Sequence, residues 1–127
     1  EYKDALKVYD QYPELPRRGL QLNMMQRSAD YPIGAPTNIA QYSFLAHLLA
    51  SVSGHIATSF GWMGSDVHVY SDQREIFLKE HKHRQAIPCT PTVVFKQRRD
   101  NIFDYTSDDF EIQGYESQGP IKYPVAI

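Results

Sequence analysis

Apolar and polar residues alternate with a two-residue period in several parts of this chain, and that period predicts β-strands. Strands are predicted at residues 20–24, 60–70, 93–95 and 108–115. The alternation is regular in residues 67–70. Because successive side chains of a strand point to opposite faces, His68 and Tyr70 should project from the same face.

Two other segments have the spacing of an amphipathic helix. The longer one begins at a cap supplied by Thr37 or Asn38 and ends at about Ser53, where Gly54 closes it. The shorter one covers residues 71–80. Strands interspersed with helices predict an α+β fold, in which helices pack on a mixed sheet.

The first 19 residues differ from the rest of the chain. Residues 1–10 have helical spacing, and residues 13–19 contain two prolines, which predict a loop. We assign residues 1–19 to an N-terminal segment of uncertain role and residues 20–127 to one domain.

The composition is that of an ordinary globular protein, with 42% hydrophobic and 22% charged residues. A net charge of −2 argues against nucleic acid or an anionic membrane surface as a partner. Neither a membrane-spanning segment nor a signal peptide is expected. The single cysteine, Cys89, excludes an internal disulfide and is typical of a cytoplasmic protein. Since the sequence starts at Glu1 and not at a methionine, we expect a fragment or a processed product.

A group of polar side chains precedes the longer helix. Arg27, Ser28 and Asp30 are followed closely by Asn38. The Arg27 guanidinium presents a fork of donors that fits phosphate oxygens, although a surface ion pair is the plainer alternative. The Asn38 carboxamide offers a donor and an acceptor that match the O4 and N3–H edge of uracil, while helix capping is its alternative. The histidines lack the clustered partners of a zinc site, so no metal is expected.

Five segments, in this order and at these spacings, resemble the C-terminal half of thymidylate synthase: residues 26–30, 34–40, 64–70, 102–105 and 121–127. The resemblance extends from about Leu20 to Ile127. It implies a mixed, twisted sheet with helices packed on it, here only the C-terminal half of the family's fold. It also implies a homodimer in which two sheets stack face to face.

The resemblance implies roles for individual residues in binding dUMP or a related pyrimidine deoxynucleotide. Arg27 and Ser28 match the pair that holds the 5′-phosphate. Asn38 matches the residue that reads the pyrimidine. His68 and Tyr70 match the pair that meets the 3′-hydroxyl of deoxyribose.

The implied co-substrate is the folate 5,10-methylenetetrahydrofolate. Asp30 matches the acid that accepts a hydrogen bond from its pterin ring. Ile33 and Gly34 match the pair beside that ring. Ala126 belongs to the C-terminal tail, residues 124–127, which in the family closes over both ligands. Thr37 stands where the family usually has an aromatic residue.

The reaction of this family begins with a cysteine thiolate that attacks C6 of the pyrimidine. The matching position lies near residues 6–8, where this chain has no cysteine, and Cys89 lies far from it in the family order. We therefore expect no catalytic residue in this chain and a structural role for Cys89.

Three interpretations of the missing thiol stay open, and with them whether this chain by itself is an enzyme. The chain is part of a dTMP-forming one-carbon transferase, with the N-terminal half on a companion chain or outside this sequence. It is a degenerate homologue that binds a nucleotide or a partner without catalysis. Or it belongs to a pyrimidine-nucleotide hydroxymethylase.

Overall fold

The computed structural model describes residues 11–14, 16 and 18–124. In these ranges the elements are strand β1 (Gly19–Asp30), helix α1 (Gly34–Val52), strand β2 (Ile56–His68), helix α2 (Arg74–Lys79), strand β3 (Thr92–Phe95) and strand β4 (Phe110–Gln113). Short 3-10 helices lie at His81–His83, Ile102–Asp104 and Ser107–Asp109. The predicted α+β class is confirmed, whereas the helical spacing of residues 1–10 falls outside the described residues.

Strands β1 and β2 pair in parallel, and their register places Asp30 beside His68. Parallel neighbours cannot be joined by a tight turn, so the chain must cross over between them. Helix α1 is that crossover, and it contacts both strands. The side chains that are almost fully buried are small where the helix meets the sheet: Ala29, Ala35, Ala46 and Ala50, each at most 3% exposed. Small side chains let the helix lie close to the strands.

Helix α1 begins at Gly34, so the prediction that Thr37 or Asn38 caps it is wrong. The capping position is Ile33, which has no side-chain oxygen, and Thr37 Oγ1 instead donates to Ile33 O at 2.8 Å. The earlier start is compatible with Pro36, because a proline in the first turn removes an N–H that has no helical partner.

The carboxyl end of α1 agrees with the sequence pattern, whereas the bounds of the strands differ from it. The helix ends at Val52, and Gly54 follows with a φ of 66°, a left-handed conformation that favours glycine. Both long strands exceed their predicted lengths, since β1 continues to Asp30 and β2 begins at Ile56. The longer β1 has a consequence for the site, because Arg27, Ser28 and Asp30 all belong to this strand.

Strands β3 and β4 pair antiparallel in a sheet of their own. The described strands therefore form two two-stranded sheets, one parallel and one antiparallel, where a single mixed sheet was expected. Helix α1 joins them: the rings of Phe44 and Phe110 lie 4.4 Å apart, and the Ser51 and Tyr105 hydroxyls are hydrogen-bonded at 2.8 Å. No helix in the described ranges is long and apolar enough to cross a membrane.

Candidate functional site

The candidate site residues of β1, Arg27, Ser28 and Asp30, lie near its carboxyl end, beside the carboxyl end of β2. The register places Ser28 beside Asp66 and Asp30 beside His68, and Tyr31 N donates to His68 O at 2.8 Å. Because the two strands run in the same direction, their carboxyl ends meet at one edge. Ligands of open parallel sheets commonly bind at such an edge.

Arg27 and Ser28 are both exposed at this edge. Neither side chain forms an ion pair or a hydrogen bond with another residue in the described part of the chain. The plainer alternative for Arg27, a surface ion pair, therefore has no acidic partner in those ranges. The exposed guanidinium and the exposed hydroxyl are each available to an anion from solvent.

The rings of His68 and Tyr70 lie together, although β2 ends at His68 and Tyr70 lies beyond the strand. Their rings meet edge to face, with centroids 4.8 Å apart and an interplanar angle of 80°. The Asp66 carboxylate lies 3.5 Å from His68 Nδ1. A carboxylate at Nδ1 favours a proton on that nitrogen and leaves Nε2 for another partner.

Asn38 is a half-buried residue of α1, one helical turn after the buried Ala35. Residues three apart share a helix face, so the carboxamide lies on the side of α1 that includes Ala35. Since the capping position is Ile33, the capping alternative for Asn38 is excluded. Its amide makes no hydrogen bond to another described residue, and a half-buried polar group without a protein partner suits a ligand.

Asp30 has one oxygen bonded and one oxygen without a partner. Its Oδ2 accepts from Gln73 Nε2 at 3.1 Å. Its Oδ1 is buried and accepts no hydrogen bond from the described residues. A buried acceptor without a donor is unfavourable by about 1–3 kcal/mol, so a ligand that donates to Oδ1 would bind with a gain.

Ile33 and Gly34 follow Asp30 at the start of α1. A Cβ built on Gly34 would lie 3.5 Å from Asp30 Cβ, which is an ordinary contact. The packing of the protein itself therefore does not require a glycine here.

A cleft of about 590 Å³ opens next to these residues. Ile33 and Thr37 line one wall, His81 and Arg84 a second wall, and the C-terminal segment with Tyr123 a third. Its volume is in the range of small-molecule sites. Of the predicted site residues within the described ranges, Ile33 alone lines this cleft, and the residues assigned to the nucleotide lie outside it.

Tyr123 and His81 join two walls of the cleft. The Tyr123 hydroxyl is hydrogen-bonded to His81 Nδ1 at 2.9 Å. Burial raises the pKa of the Tyr123 phenol above its ordinary value, so this group stays neutral at physiological pH. The contact fixes the segment that leads to the C-terminal tail.

Sequence reasoning missed Gln73, which is 0% exposed and bonds to Asp30. No local signal identifies it, because glutamine is ordinarily a surface residue and the acceptors of its Nε2, Asp30 and Pro124, are distant in sequence. Ala126 falls outside the described residues. Its neighbour in the tail, Pro124, is described, and Pro124 O accepts from Gln73 Nε2 at 3.4 Å.

Cys89 is half-buried in the loop between α2 and β3. This loop lies against the second sheet, since a Cβ on Gly114 would lie 3.4 Å from Thr90 O. The expected family position of the nucleophile, residues 6–8, lies outside the described ranges. Within those ranges no three His, Cys, Asp or Glu side chains group in a way that holds a metal ion.

A model of the protein family described as "Thymidylate synthase" matches residues 5–127. The match covers nearly the whole sequence, and every predicted site residue falls within it. It covers the parallel pair, its crossover helix and the second sheet alike.

Proposed function

The chain belongs to the thymidylate synthase family, and we propose that it forms the nucleotide- and folate-binding part of a one-carbon transferase. In this proposal the methylene group of 5,10-methylenetetrahydrofolate is delivered to C5 of dUMP and reduced to a methyl group by a hydride from the same folate, so that dTMP and dihydrofolate are formed. The observation that carries the proposal is a set of polar groups, near the carboxyl ends of the parallel strands, that have no hydrogen-bond or ion-pair partner among the described residues. Arg27, Ser28, Asn38 and Asp30 Oδ1 all belong to this set.

The nucleotide is held from three directions. Arg27 and Ser28, both exposed on β1, donate to the 5′-phosphate. The Asn38 amide accepts from N3–H and donates to O4 of uracil. His68 and Tyr70, whose rings are in contact, meet the 3′-hydroxyl of the deoxyribose.

The folate is held by Asp30 and by the cleft beside it. The family in general uses 5,10-methylenetetrahydrofolate as its co-substrate. The buried Oδ1 of Asp30 lacks a donor among the described residues, and the pterin ring carries N–H groups that supply one. Ile33 and Gly34 lie beside that acid, so the residues present fit a pterin. Ala126 and its neighbours in the tail would exclude water from the assembled site.

The attacking thiol must come from elsewhere in the enzyme. A C6-directed nucleophile has to lie within reach of the pyrimidine, and Cys89 lies in the loop beside the second sheet. We propose that the nucleophile lies outside these 127 residues, on a companion chain or on another part of the same protein. These residues alone then bind the substrates without converting them.

The outer face of the parallel pair supports a homodimer. Met25 and Met63 lie side by side in the register and are 78% and 62% exposed. A depression of about 400 Å³ lies beside them, around Trp62. A second copy stacked on this face would bury both methionines, and burial of such side chains stabilises association.

Substitution Asn38→Asp should change the choice of base. The carboxylate only accepts hydrogen bonds, so it opposes O4 of uracil but can accept from the exocyclic amine of cytosine. We expect dUMP binding to weaken by about 1–3 kcal/mol and dCMP binding to hold or improve. Calorimetry measures the ratio of the dUMP affinity to the dCMP affinity. Asn101→Asp, at a remote exposed turn, is the matched control. An unchanged ratio would mean that Asn38 does not read the base, and wild-type protein without nucleotide affinity would favour a degenerate partner-binding homologue.

The pure 127-residue chain should form no dTMP from dUMP and 5,10-methylenetetrahydrofolate, because no thiol reaches C6. Product is measured by chromatography after long incubation at high protein concentration. Turnover that Cys89→Ser leaves intact would show that another group starts the reaction, and turnover that Cys89→Ser abolishes would make Cys89 the nucleophile. Either result contradicts the proposal.

A charge on the outer sheet face should prevent association. We expect the wild-type chain to sediment as a dimer at micromolar concentration and Met25→Glu as a monomer, since the buried carboxylate would lack a partner. Ile112→Glu, on an exposed position of β4, is the matched control and should stay dimeric. A wild-type monomer, or a dimer that tolerates Met25→Glu, would place the interface elsewhere.

A further inference from the structure

Gln73 is the largest fully buried side chain of the described residues, with 0% exposure. It lies directly before α2, in the turn that follows β2. Burial of a primary amide is unfavourable unless its donors and its acceptor are bonded. The partners of this amide therefore indicate why it is there.

Within the described residues, the side-chain hydrogen bonds of Gln73 all go to parts of the candidate site. Nε2 donates to Asp30 Oδ2 at 3.1 Å and to Pro124 O at 3.4 Å. Oε1 accepts from Tyr70 N at 3.3 Å. One amide thus joins the acid assigned to the pterin, the backbone of the aromatic residue assigned to deoxyribose, and the segment that leads to the C-terminal tail.

We propose that Gln73 is a positioning residue that couples nucleotide binding to folate binding, an inference that rests on the proposed function. A carboxylate can rotate about its Cβ–Cγ bond, and the donor at Oδ2 fixes that rotation in Asp30. The fixed carboxylate keeps Oδ1 for the pterin. The bond to Tyr70 N ties the same amide to the sugar subsite, and the bond to Pro124 O ties it to the tail.

The chemistry of these contacts requires an amide. A cation at this position would donate to Asp30 but could not accept from Tyr70 N. A carboxylate would accept from Tyr70 N but would repel the ionised Asp30. The amide donates and accepts at once, and it leaves the charge of Asp30 unchanged.

The first test is Gln73→Met, which keeps the length of the side chain and removes its hydrogen bonds. Calorimetry gives the affinity for dUMP alone and the affinity for tetrahydrofolate with and without saturating dUMP. We expect dUMP binding to change by at most about threefold and folate binding to the dUMP complex to fall by roughly 10- to 100-fold. The factor by which dUMP strengthens folate binding should fall toward one, because the coupling is lost. Gln41→Met, an exposed position on α1, should behave as wild type.

The second test is Gln73→Glu, which has a pH signature that a purely structural role lacks. Two carboxylates in contact raise the pKa of one of them, so at low pH the pair holds one proton. The protonated Glu at position 73 then donates to Asp30 much as the amide does. Folate affinity should be near the wild-type value at about pH 6 and should fall as the pH rises toward about 9, when both groups ionise. The ionisable groups of His68, Asp66 and Tyr123 are present near the site in both proteins, so the wild-type profile is the reference.

The outcomes distinguish a failure of the proposed function from a failure of the positioning role alone. If the wild-type protein binds neither ligand, the proposed function and this inference both fail. Only the positioning role fails if the wild-type protein binds both ligands and Gln73→Met leaves unchanged the factor by which dUMP strengthens folate binding. The same holds if Gln73→Met weakens the binding of both ligands equally. A pH profile of Gln73→Glu that parallels the wild type would contradict it as well, even if Gln73→Met did not fold.

Discussion

The parallel pairing of β1 and β2 is the constraint on which the rest of the structure depends. It requires a crossover, which α1 supplies, and it sets the carboxyl ends of two strands side by side. The register then decides which side chains meet there, since Ser28 lies beside Asp66 and Asp30 beside His68. A shift of one residue would turn these side chains to the other face of the sheet. The site is therefore a product of the pairing and not of any one segment.

The carboxylate of Asp30, near this edge, differs from that of Asp109, elsewhere in the described part of the chain, in how many of its oxygens accept hydrogen bonds. Asp109, which is 3% exposed, has both oxygens bonded, to Arg99 and to Thr106, and the Arg99 hydrogen bond holds the pKa of this carboxyl below its usual value. Asp30 has only one hydrogen-bonded carboxylate oxygen. Its Oδ1 is a buried side-chain oxygen that accepts no hydrogen bond from the residues in those ranges. A remote carboxylate satisfied by the protein stabilises the fold, whereas one left partly unsatisfied is available to a ligand.

Periodicity predicted the presence of the helices and strands because it is a local property. It did not predict features that depend on residues outside the local pattern. The helix end at Gly54 follows from a local rule of conformation, since its φ of 66° favours glycine. The cap at Thr37 or Asn38 was wrong because α1 extends back to Gly34, through a proline that a first turn tolerates. Alternation also does not specify strand partners, so the division into two sheets was not predicted.

The same limit applies to the site. The roles proposed for Arg27, Asn38 and Asp30 came from the order and spacing of motifs that resemble a known family, and not from periodicity. Gln73 had no such signal, since its burial depends on Asp30 and on Pro124, which lie far from it in sequence. Buried polar residues with distant partners are found only once the chain is folded.

The central claim is that the carboxyl end of the parallel pair binds a nucleoside 5′-monophosphate through Arg27. Calorimetry of dUMP and deoxyuridine with the wild-type protein, Arg27→Ala and Arg18→Ala tests it most directly, because exposed Arg18 lies at the opposite end of β1. The account predicts that Arg27→Ala weakens the binding of dUMP by about 1.5–3 kcal/mol, the scale of a charge-assisted hydrogen bond, and leaves the binding of deoxyuridine unchanged. Arg18→Ala should change the binding of neither ligand. Equal losses for the two ligands, or wild-type protein that binds dUMP no better than deoxyuridine, would contradict it.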